Sequence, residues 1–141
     1  METNSPTIQL CLAGNRAEFD GRIDDARTLF QQAWEAAQDD YEACIAAHYA
    51  ARHQNPQDTL HWNQVALTHA EAANDERVQS FYPSLYVNLG HAYEQLGQQT
   101  EAAHYYQLAA DLGLVHQPTQ KSKDTSPLSA MKQNPVSHNQ Q

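Results

Sequence analysis

Two cysteines and eight histidines are the residues of this sequence with the widest chemical reach. Cys44 and His48 stand four apart, which places both on one face of a helix. There they could share a metal, or pair as nucleophile and base. Cys11 and His91 are the residues a fold could add to them. The rest of the sequence speaks against both uses. Zinc ligands come in close pairs, and there is no CxxC; His53, His61, His69, His104, His116 and His138 fall at unrelated spacings. A Cys-His nucleophile also needs oxyanion donors from a glycine-rich elbow, and Gly14, Gly21, Gly90, Gly97 and Gly113 form none. The cysteines therefore read as small apolar packing residues, and no catalytic residue, metal or cofactor is expected. A Cys/His metal site, enzyme or sensor stands as the alternative. The acid pairs Asp24-Asp25 and Asp39-Asp40 read as helix starts, where carboxylates cap free N–H groups and offset the dipole.

Charge narrows the partners. Residues 1–114 hold five arginines, no lysine and sixteen carboxylates, a balance of −11, whereas residues 115–141 hold three lysines and one aspartate, +2. An acidic body repels phosphate backbones, so no nucleic-acid partner is expected. No long apolar run exists, so no membrane span is expected either. The polar, acidic opening Met1–Pro6 lacks the regions of a secretory signal, and with two thiols in apolar stretches the expected setting is cytoplasmic.

The elements that would position these residues are helices. Apolar and small residues recur in steps of three and four: Leu10, Ala13, Gly14, Ala17; then Ala26, Leu29, Phe30, Ala33; then Ala43, Ala46, Ala47, Ala50; and later Tyr86, Leu89, Gly90, Tyr93. Asp20-Gly21, Asn55-Pro56, Asn74-Asp75 and Leu96-Gly97 break the pattern where the chain must turn. This predicts helices over 7–19, 23–37, 40–53, 57–73, 76–96 and 99–112; at Pro83 the fifth either starts afresh, with proline in its first turn, or kinks, and the long kinked helix is favoured because Val78, Phe81 and Tyr82 extend its apolar face. Residues 1–6 are expected to be flexible. After Leu114 the composition turns to Pro, Gln, Ser and Asn, and residues 115–141 are expected to be a disordered tail.

The last helix pair resembles a tetratricopeptide repeat, the 34-residue helix-turn-helix with a W-x2-L-G-x2-Y…A-x3-F…P pattern. Tyr86, Leu89-Gly90 and Tyr93 fill its first helix, and Ala102, Tyr106 and Ala109 its second, with Leu114 in place of the closing proline. The first pair is similar through Gly14, Ala17, Ala26, Phe30 and Ala33. The second is weaker: Ala47 takes the glycine slot and Asn63 the aromatic slot, with Trp62 beside it to supply bulk. Tyr93 and Tyr106 are expected to fill the gap between neighbouring pairs. Roughly nine residues are inserted around 70–80 relative to a 34-residue period, which should lengthen a helix and expose a further turn. The stretches around Asp39–Tyr49 and Phe81–Tyr86 also resemble a group of small bacterial tetratricopeptide proteins. No strand-loop-helix unit with a glycine-rich loop is present, so a nucleotide-type cofactor domain is not expected.

The resemblance implies an all-α, right-handed α-solenoid over residues 7–114, with pairs near 7–38, 40–73 and 76–113, and a concave groove lined by the first helix of each pair. Carried over slot by slot, the groove is Cys11, Leu12, Asn15 and Phe19, then Cys44, Ile45, His48 and Arg52, then Val87, Asn88, His91 and Gln95. The resemblance implies a non-enzymatic protein-interaction module taking a peptide or helix there. Asn15 and Asn88 would hydrogen-bond a peptide backbone, and Arg52, the one cation of the set, would hold a carboxylate. With no further helix to cover the last pair, Tyr105, Leu108, Leu112 and Leu114 should stay partly exposed, and a homo-oligomer through the C-terminal helix is a second alternative.

Overall fold

The structure, a computed structural model, describes residues 5–113. Leu114, the tail 115–141 and residues 1–4 of the opening segment lie outside the described residues. Among the described residues the chain is all helix and turn, with no strand. Seven helices follow one another: α1 (Pro6–Phe19), α2 (Ile23–Ala36), α3 (Asp40–Ala50), α4 (Pro56–Ala73), α5 (Glu76–Gln79), α6 (Tyr82–Gln95) and α7 (Gln99–Asp111). They pack as the hairpins α1/α2, α3/α4 and α6/α7. Each hairpin rests on the next through α2 and α1 against α3, and α4 against α6.

The helix starts follow from the residues that open them. Ser5, Asp39 and Asn55 each accept a hydrogen bond from a backbone N–H of the first turn, those of Ile8, Glu42 and Asp58. Pro6 and Pro56 stand where a missing N–H costs nothing. Gly21 and Gly97 close the first and third hairpins at φ +82° and +77°, a region costly for a side chain with Cβ. The middle hairpin turns instead through His53 at φ +62°, so α3 stops at Ala50, three residues short of the predicted end.

The glycines of the first helices are there for contact. A Cβ on Gly14 would lie 2.3 Å from the Phe30 ring, and one on Gly90 2.5 Å from the Tyr106 ring. Each aromatic thus lies flat against a bare backbone within its own hairpin. Tyr106 therefore fills the gap inside its pair, not the gap between pairs that the sequence pattern suggested. Thr7 ties the hairpin at its other end by donating to the Ala33 carbonyl, 2.9 Å away.

α3 is the centre. From Ala43 to Ala51 every residue is buried, and Tyr41 with them. A helix apolar all round must be surrounded, and its alanines let α1, α2 and α4 approach.

The long fifth helix does not form. Pro83 cannot donate to the Gln79 carbonyl and its ring would collide with it, so the chain breaks at Ser80-Phe81 and restarts with Pro83 in the first turn of α6. The inserted residues go into the 18-residue α4 and into α5. They expose Glu76, Arg77, Gln79 and Ser80, while Val78 and Phe81 are buried, and Phe81 stacks on Tyr41 with ring centres 6.0 Å apart. The Arg77 guanidinium lies 4.0 Å from the centre of the same Tyr41 ring.

Candidate functional site: a polar pocket between the second and third hairpins

A pocket of about 230 Å³ opens where α3, α4 and α6 meet. Its walls are His48, Ala51 and Arg52 from α3 and its end, Thr59 and Asn63 from α4, and Asn88, His91, Ala92 and Gln95 from α6. His48, Arg52, Asn88, His91 and Gln95 were all expected in the groove from sequence, and the fold brings these five together. Thr59 and Asn63 were not expected there. Asn63, on the pocket wall, holds the repeat slot that Phe30 and Tyr106 hold in the other hairpins. Trp62 does not replace the missing ring; it turns aside to meet Trp34 edge-on, ring centres 5.2 Å apart. Asn63 is buried and donates to the Thr59 carbonyl at 3.0 Å.

The electrostatics differ from the sequence expectation. Arg52 is not a free clamp for a partner's carboxylate. Its Nε and Nη2 each donate to Glu18 at 2.9 Å, a two-pronged bond from the second hairpin to the first. His53 Nε2 contacts the same carboxylate, which holds this residue in its left-handed turn. Burial raises the Glu18 pKa, but the Arg52 charge and hydrogen bonds, with those of His53, outweigh it and leave the carboxyl below its ordinary range. The pocket wall is thus lined by amides, a hydroxyl, imidazoles and an already paired guanidinium, with no carboxylate among the described lining residues.

The remaining expected groove residues lie elsewhere. Asn15, on α1, occupies the slot of His48 and His91. It is only 5% exposed, and neither atom of its amide has a hydrogen-bond partner. Phe19 is 57% exposed at the end of α1. Cys44 and Cys11 are fully buried, and burial pushes both thiols up to about 12. Such thiols are protonated and shielded at neutral pH, so neither is a nucleophile in this fold. Among the described residues, no three His, Cys, Asp or Glu side chains converge as metal ligands, and no helix is long and apolar enough to cross a membrane.

Paired helices stacked through small residues, with a polar pocket shared by the first helices of successive pairs, define an α-helical repeat protein. Residues 83–112, which span most of α6 and all of α7, match the model of the tetratricopeptide repeat, which supports reading the helix pairs as repeats of that family. No curated protein and no solved structure matches it. Repeats of this family serve protein interaction and are typically not enzymes.

Proposed function

We propose that the chain binds an extended segment of a protein partner along α1, α3 and α6, with one polar side chain of that segment seated in the pocket between the second and third hairpins. The pocket carries the reading: seven polar side chains from the second and third hairpins face one open volume. Asn15 supports it. A buried amide without partners costs about 1–3 kcal/mol, and a peptide backbone, donor and acceptor together, is what an amide of that kind satisfies. The Arg52–Glu18 pair then positions the wall and does not itself bind the partner. The described residues give no ligand set for the metal or Cys/His alternative, and the two thiols are sealed.

Selection of a random-peptide library on the full chain tests this. Selected peptides should lose at least tenfold in affinity to Asn88→Ala and to Asn15→Ala, with the thermal midpoint of Asn88→Ala unchanged. Peptides that bind a folded Asn88→Ala/His91→Ala protein as tightly as the wild type place the site elsewhere.

A second reading is self-association through α7. Leu112 is 54% exposed, and Tyr105 and Leu108 are half-buried at the end of the array. Sedimentation across a hundredfold range of concentration separates the two, since Leu112→Ser should abolish any dimer and leave peptide binding intact.

A further inference from the structure

Away from the pocket, four tyrosines form a row where α4, α6 and α7 meet. Tyr82 lies 5.8 Å from Tyr86, Tyr86 lies 6.1 Å from Tyr105, and Tyr105 stacks on Tyr93 at 5.6 Å with the rings 8° from parallel. Gln64 of α4 donates to the Tyr93 hydroxyl at 2.9 Å. All four rings are half-buried, so each leaves part of a face or edge to solvent. Glu71, exposed on α4, stands close enough to Tyr82, Tyr86 and Tyr105 for its charge to oppose ionisation of all three hydroxyls.

The row has carboxylate but no cation beside it in the sequence of its own helices: α4 and residues 78–113 contain neither lysine nor arginine. Every lysine of the chain, Lys121, Lys123 and Lys132, lies in residues 114–141, where Asp124 is the only acid. That segment continues directly from Gly113, at the end of the hairpin whose α7 carries Tyr105. Seven residues separate Gly113 from Lys121, eight steps with a reach of up to about 26 Å for extended chain, and the rings are about 6 Å apart.

We infer that residues 114–141 dock on the tyrosine row of their own chain, with Lys121 and Lys123 over the rings beside Glu71. An ammonium attracted by a ring face and a neighbouring carboxylate gains little in each contact. The covalent tether supplies the rest, since a segment this close is held at an effective concentration on the order of millimolar. Tyrosine suits the role because it offers a rigid apolar face at small entropic cost.

A spin label at Ser122→Cys in the full chain tests the assignment. Cys11 and Cys44 are fully buried, so the label attaches at position 122 alone, which mass spectrometry verifies. At low salt, the NMR signals of Tyr82, Tyr86, Tyr93 and Tyr105 should weaken at least twofold relative to the reduced label, independently of protein concentration. Glu71→Lys, an exposed site, should remove at least half of that weakening. Weakening spread evenly over the helices, centred on Asn88 and His91, lost on dilution, or indifferent to Glu71→Lys would each overturn the inference; loss on dilution would assign the row to the tail of a second copy.

Discussion

At Gly90 the difference between a hydrogen and a methyl group sets how near two helices lie. A Cβ there would meet the Tyr106 ring at 2.5 Å, and at Gly14 it would meet Phe30 at 2.3 Å. Gly90→Ala and Gly14→Ala should each cost about 1–3 kcal/mol by overpacking, despite the better helix propensity of alanine, and urea unfolding measures it. The Glu18–Arg52 bond carries a pH dependence of definite sign. Because the folded-state pKa of Glu18 is lowered, its contribution is complete above the ordinary carboxylate value and is lost as pH falls through the lowered one. Stability should therefore decline below about pH 4.5. In Arg52→Met that part of the decline should vanish while stability at pH 7 drops by about 1–3 kcal/mol, as urea midpoints taken at several pH values will show. The glycine and aromatic slots were legible in sequence from their spacing, but that each ring meets the glycine of its own hairpin was not, since the pattern placed Tyr106 between pairs. The partner of Arg52 was not: Glu18 lies 34 residues away, and nothing local signals which of the surrounding acids will reach it. Asn63 was legible only as a defect in the pattern. Its positive meaning, a place on the wall of the pocket between hairpins, needs the packing to be seen.

The element that departs furthest from the sequence pattern is α5. Val78 and Phe81 continue an apolar helical face, and periodicity alone extends the helix through them; the steric demand of Pro83 wins over periodicity. The result seals the start of α3. Phe81→Ala should then cost about 3–5 kcal/mol, far more than an exposed four-residue turn would imply, and thermal denaturation will show it. Capping is a smaller effect of the same order everywhere: Asp39→Ala removes the acceptor for the Glu42 N–H, 2.8 Å away, and should cost about 1 kcal/mol, measurable in the same assay. Helix starts were readable from Asp39 and Asn55 because a cap is a one-residue signal, whereas Ser5, inside a segment expected to be flexible, was passed over. The end of α3 was less so, since His53 takes a left-handed turn that sequence usually gives to glycine.

On the scale of the whole molecule, stability is graded from the centre outward. α3 packs against α1, α2 and α4, with Arg77 and Phe81 on its Tyr41, whereas α6/α7 rests on the rest of the array through α4. Amide hydrogen exchange should be slowest in α3, through Cys44–Tyr49, and fastest in α7 among the seven helices. Equal protection across all three hairpins would mean that the array opens only as a unit. The acidic body and the lysines confined to residues 114–141 divide the chain electrostatically, a division visible in the sequence alone.

The repeat slots held by Ala47 and Asn63 leave a practical opening. Converting them to the arrangement of their neighbours, Ala47→Gly with Asn63→Phe, would plug the receptacle with a benzyl group while restoring the knob and flat seat that the scaffold already uses twice. Such a plugged chain should melt no lower than the parent yet be deaf to ligand. Recognition could then be silenced in a living cell without dismantling the framework that displays it.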